Sequence, residues 1–357
     1  MSKQIQFSLQ LFLVLVSLVL VPTFLALNLF PQSLVFPAKF PEVLANWDGR
    51  HFISIAQYGY AQTIQYAFFP LYPILVNFVA RVASQNYLWS ALVVSWLSTF
   101  LTLHYLYKLL SLDLDQKLVR ETLILLVLFP TSFFLLSAYS ESVFLLFSVM
   151  AFYFARKKNF LLATVFAALS TATRISGLAT VLALWMEGFY LGGFKKNWIV
   201  LLAPVGILVY MYYLGRTTGD PLYFIQAEES NWQRTLSIPG VNFVNNLHQL
   251  LSEGVKSENI ISWIDLGFLV FGIGLVLRSI RWLRHSYAVF GLALLALPLL
   301  TNSFVSMPRF LLPIFPVFIL LALWVEKSDF KRLITWVVFV TLSTVFVVRF
   351  MTGFWIS

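Results

Sequence analysis

The stretch from Phe7 to Phe30, FSLQLFLVLVSLVLVPTFLALNLF, contains no charged residue. A helix needs about 20 consecutive apolar residues to cross a bilayer, so this stretch is long enough for one crossing. It is too long for the apolar region of a signal peptide, and no small-residue cleavage site follows it. We therefore expect it to remain in the protein as the first membrane helix.

Apolar runs of similar length recur as far as Phe350, in a chain of 357 residues. The composition is 60% hydrophobic and 11% charged, with a mean hydropathy of +0.84, whereas about 25% of residues are charged in soluble domains. The backbone of a spanning segment must satisfy its own hydrogen bonds, which favours helices. The sequence predicts an all-α polytopic membrane protein, with residues 1–357 forming a single integral-membrane domain.

The basic residues are distributed in short clusters between the apolar runs. Together 15 of the 24 basic residues lie in these clusters: Lys3, Lys108, Lys117, Arg120, Arg156, Lys157, Lys158, Lys195, Lys196, Arg278, Arg281, Arg284, Lys327, Lys331 and Arg332. Positive residues accumulate on the cytoplasmic face of membrane proteins, so we place the clusters there. This placement accounts for the net charge of +9 without a nucleic-acid partner.

The apolar runs then predict about 11 spans, near residues 7–30, 86–107, 122–138, 141–155, 159–174, 177–194, 197–214, 260–277, 286–301, 310–325 and 333–350. Two large loops face the extracytoplasmic side, over residues 31–85 and 215–259, and we expect short helices in the second. The run from Ala67 to Ala83 is apolar enough to cross, but it contains Pro70, Pro73 and Arg81. We expect it to form a juxtamembrane helix that returns to the same face.

The first loop contains the polar and aromatic stretch Asn46 to Tyr60, NWDGRHFISIAQYGY. If Asp48 begins a helix that Gly59 terminates, Asp48, His51 and Phe52 share one face. The carboxylate and the imidazole would then be neighbours. Asp48 is equally suited to cap the helix without any catalytic role, and the aromatic residues are equally suited to an interfacial belt.

Six motifs in the same order resemble the PIG-V family, which includes GPI mannosyltransferase 2 and bacterial relatives. They are NWDGRHFISIAQYGY with AFFPLYP (Ala67 to Pro73), PTSFF (Pro130 to Phe134), YSES (Tyr139 to Ser142), ATRISG (Ala172 to Gly177), GDPLYFIQAEESNW (Gly219 to Trp232) and PRFLLPIFP (Pro308 to Pro316). The chain is similar to the bacterial type of member.

This resemblance implies a GT-C glycosyltransferase, a bundle whose large first extracytoplasmic loop carries a catalytic acid. It further implies that the acid is Asp48 and that the donor is a polyprenyl-phosphate sugar, with mannose as the expected hexose. A carboxylate suits this reaction because transfer to a hydroxyl needs a base for the acceptor proton while the anomeric carbon becomes oxocarbenium-like. The leaving lipid phosphate needs little protonation.

The leaving phosphate also needs cations, for which we select Arg50, Arg174 and Arg309, since the guanidinium fork donates two hydrogen bonds to one phosphate. Arg309 could instead snorkel at the membrane interface. Arg174 could instead form a structural pair with Glu141. His51 is expected to tune Asp48 or to bind donor phosphate.

The remaining substrate-binding candidates are Trp47, Glu141, Asp220 and Gln226. In the segment after Asp220, the side chains of Gln226, Glu228 and Glu229 could meet sugar hydroxyls, although they also suit a solvated surface. We also expect Trp47, Phe52 and Tyr58 to anchor the first loop at the lipid boundary. The chain has no cysteine, which excludes thiolate catalysis and cysteine-ligated zinc. The histidines outside the motif show no ligand spacing, so we expect neither a metal nor another cofactor.

We therefore expect a hexosyltransferase whose partners are a polyprenyl-phosphate sugar, a glycan or glycolipid acceptor and membrane lipid. It would lie in the plasma or inner membrane of a bacterium or the endoplasmic reticulum of a eukaryote, with its active site extracytoplasmic. The alternative is a multi-span transporter or lipid flippase. Transporters place charges near the midplane between matching halves, whereas the motifs of this chain cluster at one face. No Walker A, GxGxxG, GxSxG or HExxH pattern is present.

Overall fold

A computed structural model describes residues 3–32, 39–192, 197–237, 241–256 and 258–356. The basic pair Lys195 and Lys196, and part of the predicted first loop, lie outside these ranges. The α-helices of the described residues, numbered in chain order, are α1 Lys3–Leu29, α2 Asp48–Tyr58, α3 Leu71–Val82, α4 Tyr87–Leu110, α5 Gln116–Leu128, α6 Glu141–Arg156, α7 Phe160–Thr173, α8 Gly177–Tyr190, α9 Val205–Thr218, α10 Tyr223–Trp232, α11 Val241–Glu253, α12 Ile260–Trp282, α13 His285–Leu299, α14 Met307–Leu311, α15 Phe315–Val325 and α16 Asp329–Met351. The predicted all-α class is confirmed.

Five helical segments of the described chain are long and apolar enough to cross a membrane: Lys3–Leu29, Tyr87–Leu110, Trp198–Thr218, Ile260–Trp282 and Asp329–Met351. Each coincides with a predicted span. The helices at several other predicted spans are shorter, including α7, α13 and α15. Helix length therefore supports an integral membrane protein, while the number of 11 crossings remains a prediction.

The predicted spans 122–138 and 310–325 are each interrupted in the structure, and in both cases a proline lies at the interruption. Helix α5 ends at Leu128, just before Phe129-Pro130, and the chain continues as a short 3₁₀-helix, Ser132–Leu135. Around Pro313 the chain is divided into α14 and α15. The residue before a proline avoids the helical region and proline itself cannot donate a backbone hydrogen bond. Apolarity alone does not reveal such breaks.

Helix α3 has the features expected of a juxtamembrane segment. It is 12 residues long, which corresponds to about 18 Å, too short for a hydrocarbon core of about 30 Å. One face buries Tyr72 and Val76 in the protein core, whereas Ile74, Phe78 and Val82 are exposed on another. This exposed apolar face is suited to lipid.

The first and last helices pack against each other, since α1 lies against α16 and also against α4. Helix α6 packs against α4, α7 and α8. The short helices expected in the second loop are present as α10 and α11. Helix α10 packs on the 3₁₀-helix Thr63–Ala67 and on α9, so the two predicted loops meet. This meeting places the motifs from distant parts of the sequence next to each other.

Helices α7 and α9 approach closely at Gly206. A Cβ atom built on Gly206 would overlap the carbonyl oxygen of Ala168 and approach the Thr171 hydroxyl. Small residues at such crossings allow two backbones to touch inside a membrane. The glycine is therefore required by the α7–α9 contact.

We predict that Gly206→Ala lowers the free energy of unfolding by about 1–3 kcal/mol, the usual scale for overpacking. Thermal unfolding in detergent measures this change. Gly274→Ala is the matched control, because a Cβ atom at Gly274 in α12 meets nothing within 4 Å. An equal loss in both variants would show that helix propensity or detergent, rather than the crossing, governs the result.

The predicted topology can be tested by cysteine labelling, since the chain contains no cysteine. Ala61 and Glu229 are exposed in the two large loops, and Lys157 is exposed after α6. We expect Ala61→Cys and Glu229→Cys to react with an impermeant thiol reagent added outside intact cells, and Lys157→Cys to react only after permeabilisation. The reverse pattern would invert the assigned orientation.

Candidate active site

Helix α2 begins and ends as the sequence predicts, from Asp48 to Tyr58 with Gly59 at its carboxyl end. The position before Asp48 is Trp47, whose φ of +59° is uncommon for a residue with a side chain. No side chain caps the helix at this position. The alternative role of Asp48 as the N-cap is therefore wrong, and its carboxylate is available for other contacts.

Asn46 fixes the chain just before α2. Its side-chain Nδ2 donates to the carbonyl oxygen of Phe350 at 3.0 Å, and its own carbonyl accepts from the Tyr139 hydroxyl at 2.7 Å. Two residues earlier, the carbonyl of Leu44 accepts from the backbone N–H of Ala138 at 2.9 Å. The first motif is thereby attached to the Tyr139 to Ser142 motif and to the end of α16.

Phe52 and His51 lie on the side of α2 that faces the AFFPLYP segment, Ala67 to Pro73. Phe52 is 3% exposed and packs edge-on against Phe68 and Tyr72. The predicted role of Phe52 as a lipid anchor is therefore wrong, whereas Tyr58 is 73% exposed. The His51 ring stacks on Phe68 at 5.2 Å. Burial lowers the pKa of His51 below its usual value, and the charge of Asp48 opposes this shift.

The central feature of the site is the guanidinium of Arg309, which is 8% exposed. Its Nη1 lies 2.8 Å from Oδ2 of Asp48, and its Nε lies 2.5 Å from Oε1 of Glu141. The rings of Phe134 and Tyr139 lie 4.9 and 4.8 Å from its central carbon. Arg309 therefore joins two carboxylates from distant parts of the chain.

Arg174 completes this set of charges. Its Nη1 lies 2.9 Å from the same Glu141 oxygen and 3.0 Å from the Ser140 hydroxyl. The structural pair between Arg174 and Glu141, one of the two alternatives from the sequence, is present. We call Asp48, Glu141, Arg174 and Arg309 the charged cluster. Its two positive and two negative groups balance, as burial at a membrane requires.

Arg309 lies in the five-residue helix α14, whose position is fixed by two other elements. The Thr131 hydroxyl donates to the carbonyl of Pro308 at 2.9 Å. A carboxylate oxygen of Asp265, a buried residue of α12, accepts from the backbone N–H of Met307 at 3.0 Å. Sequence reasoning missed Asp265, although a lone acid near one end of an apolar span is itself a signal of function or of a partner.

A cavity of about 360 Å³ opens beside the charged cluster. Volumes of this order are typical of small-molecule sites, which combine apolar walls with a few polar groups. The charged groups of the wall are the side chains of Asp48, Arg174, Glu228, Arg234 and Arg309. Aromatic side chains, including Phe224 and Trp232, and several serine and threonine residues form much of the remaining wall.

Glu228 and Arg234 also line the cavity. Burial raises the pKa of Glu228, and the nearby charge of Arg234 partly offsets this shift. Burial likewise lowers the pKa of Arg234 from its very high usual value. Arg234 donates from Nη2 to the carbonyl of Val305 at 2.9 Å and lies over the Phe310 ring at 5.2 Å. A helical pattern alone does not reveal which face of α10 meets the cavity.

Six of the selected residues lie outside the cavity wall, which contains none of Trp47, Arg50, His51, Glu141, Asp220 and Gln226. Asp220 accepts from the backbone N–H of Leu222 at 2.8 Å and from Gln226 Nε2 at 2.7 Å, so both side chains serve the turn before α10. Trp47 packs edge-on against Trp355, a wall residue, at 5.2 Å. Within the described ranges, no three His, Asp or Glu residues are grouped to hold a metal.

The family model for mannosyltransferase (PIG-V) matches residues 5–203, more than half of the chain. The chain belongs to this mannosyltransferase (PIG-V) family. A search of curated proteins finds no match. The family assignment covers the first motif, the PTSFF and YSES motifs and Arg174, whereas Glu228 and Arg309 lie beyond the matched residues.

Among solved structures, the chain is similar to the oligosaccharyltransferase of Archaeoglobus fulgidus. A crystal structure of that enzyme with Zn and sulfate has a TM-score of 0.50 and 13% identity, covering 95% of this chain and 53% of the other. A second, tethered to an acceptor peptide with an NVT sequon, has a TM-score of 0.49 and 11% identity, covering 95% and 55%. This chain spans about half the length of those proteins, and the likeness shows a shared GT-C fold.

We predict that Arg309→Lys lowers kcat by about ten- to a hundredfold with little change in donor KM. A lysine ammonium lacks the rigid fork that holds two carboxylates, and a hydrogen bond to a charged group contributes about 1.5–3 kcal/mol. Steady-state kinetics with the preferred donor measures both constants.

Arg216→Lys is the control, because Arg216 is exposed and lies outside the cavity wall. A raised donor KM with unchanged kcat in Arg309→Lys would contradict this interpretation. That result would instead favour Arg309 as a residue that binds the donor phosphate, which is the role expected from the sequence.

Proposed function

We propose that the chain transfers a hexose, with mannose as the expected sugar, from a polyprenyl-phosphate donor to a lipid-linked or surface glycan acceptor. In this proposal the reaction takes place at the extracytoplasmic face of the membrane. The observation that carries it is the contact between Asp48 and Arg309 at the wall of a cavity, in a chain of the mannosyltransferase (PIG-V) family.

Asp48 is the proposed general base. Arg309 bonds its Oδ2, while Oδ1 makes no hydrogen bond to any residue that the structure describes. In the reaction, the acceptor hydroxyl oxygen forms a bond to the anomeric carbon, the bond from that carbon to the phosphate oxygen breaks, and the electron pair leaves with the polyprenyl phosphate. Oδ1 takes the proton of the acceptor hydroxyl. General-base catalysis of this kind contributes about 10²–10⁴-fold.

Two guanidinium groups are suited to the leaving phosphate. Arg309 is already engaged by two carboxylates, whereas Arg174 and Arg234 reach the cavity wall with fewer anionic partners. An arginine fork can donate two hydrogen bonds to one phosphate. We therefore assign Arg174 and Arg234 to the donor phosphate and Arg309 to the orientation of Asp48.

The transporter or flippase alternative lacks a comparable observation. Several charged groups of the cavity lie at helix ends: Asp48 is the first residue of α2, Arg174 directly follows α7, and Arg309 lies in the short helix α14. Family membership supports a transferase instead. The decisive experiment incubates the purified protein with several polyprenyl-phosphate sugars and candidate glycan acceptors, and follows donor consumption and product by mass spectrometry. Lipid translocation without sugar transfer would support the alternative.

We predict that Asp48→Asn lowers kcat by about 10²-fold or more while the protein still folds and inserts, because an amide can accept the Arg309 hydrogen bond but cannot take a proton. Activity assays with the identified donor and acceptor test this. Asp220→Asn is the control, since Asp220 serves a turn outside the cavity. Asp48→Glu keeps a carboxylate and should retain more activity than Asp48→Asn. An Asp48→Asn enzyme with full activity would refute the assignment.

A further inference from the structure

Glu228 differs from the other acid of the cavity wall in having no hydrogen-bond or ion-pair partner among the residues that the structure describes. Asp48 is bound to Arg309, whereas the Glu228 carboxylate makes no hydrogen bond or ion pair with any residue in the described ranges. Glu228 is half-buried in α10 and lines the cavity. A partly buried carboxylate without hydrogen bonds is costly unless a ligand supplies them.

The surroundings of Glu228 restrict the chemistry of that ligand. An ionised carboxylate only accepts hydrogen bonds, so it repels a phosphate and favours a neutral donor such as a hydroxyl group. Phe224 and Trp232, on the same helix, also line the cavity and offer an apolar wall beside the carboxylate. Sites of this kind bind a compact ligand through apolar contact and orient it by a few polar groups.

We propose that Glu228 binds a hydroxyl group of the transferred hexose and so contributes to the choice of sugar. The proposal rests on the function proposed above, and it assigns the sugar-binding part of that same cavity. Arg234 lies in the same wall and interacts electrostatically with Glu228. If Arg234 holds the donor phosphate, the hexose bonded to that phosphate lies within reach of Glu228.

A hydroxyl-binding carboxylate makes a specific contribution to selectivity. A site built to bind a hydroxyl discriminates strongly against an analogue that lacks the hydroxyl, because its own polar group then stays unpaired. An epimer that places the hydroxyl elsewhere should be disfavoured for the same reason. Replacing the carboxylate should therefore weaken binding of the sugar and reduce the preference for one sugar epimer over the other. Binding of the lipid phosphate should not change.

The test compares Glu228→Gln with Glu229→Gln in the full chain. Glu229 is the matched control, because it is the next residue of α10, is exposed and lies outside the cavity wall. Binding is measured in detergent for polyprenyl-phosphate mannose and for polyprenyl phosphate without a sugar. We expect Glu228→Gln to weaken binding of the sugar-carrying lipid about tenfold or more and to leave polyprenyl phosphate binding unchanged. Glu229→Gln should leave both unchanged.

Kinetics supply the second measurement. The ratio of kcat/KM for the mannose donor to that for its glucose epimer should move towards one in Glu228→Gln, whereas it should stay at the wild-type value in Glu229→Gln. Glu228→Asp, which keeps the charge on a shorter side chain, should retain part of the preference. This variant also keeps the test decisive if Glu228→Gln does not fold.

Three results would overturn the inference. Unchanged sugar-lipid affinity and epimer ratio in Glu228→Gln would show that Glu228 does not contact the hexose. Equally weakened binding of both lipids would show that Glu228 stabilises the fold or affects binding of the phosphate, rather than contacting the sugar. If Glu228→Gln lowers only kcat and Asp48→Asn is active, Glu228 rather than Asp48 would be the general base. Failure of the proposed function is distinguishable, because wild-type protein would then bind neither lipid and transfer no sugar.

Discussion

The guanidinium of Arg309 lies between two carboxylates from separate motifs in the first half of the sequence, Asp48 and Glu141, and the geometry of the site depends on this contact. Asp48 begins α2, Glu141 begins α6, and Arg309 is 261 residues from Asp48. Removing one member of such a buried set leaves an uncompensated charge, which costs about 3–5 kcal/mol. The contact therefore fixes the position of α2 relative to the bundle.

The backbone around the cluster is fixed by neutral hydrogen bonds rather than by further charges. Asn46 is attached to the end of α16, and Pro308 is held by the Thr131 hydroxyl. These polar contacts give a structural role to the small hydroxyl and amide residues that lie beside aromatic ones in the motifs of this chain. The motifs PTSFF and PRFLLPIFP, which look unrelated in sequence, form one contact in the folded protein.

The bilayer explains how charge is distributed in this structure. Helix α15 is apolar and mostly buried, and the charged residues of α6, Glu141 and Arg156, lie only at its two ends. The charged cluster lies at the start of α6, where Arg309 of α14 joins Glu141 to Asp48 of α2. Equal numbers of positive and negative groups keep the cluster neutral, and arginine retains its charge and its fork when it is buried. An amphiphilic substrate can then meet polar groups without a charged path through the membrane.

The sequence by itself determined the class of the protein, the helix from Asp48 to Gly59 and the side chains available for chemistry, because apolar runs, turn residues and motifs are local properties. It also gave the Arg174 and Glu141 pair as one of two alternatives. Tertiary structure alone decided that Arg309 holds Asp48, that Asp265 fixes α14, and that Glu228 rather than Gln226 faces the cavity. These contacts depend on how helices that are hundreds of residues apart in sequence are rotated and packed against each other. The residue pattern of one segment contains no information about which other segment it will contact.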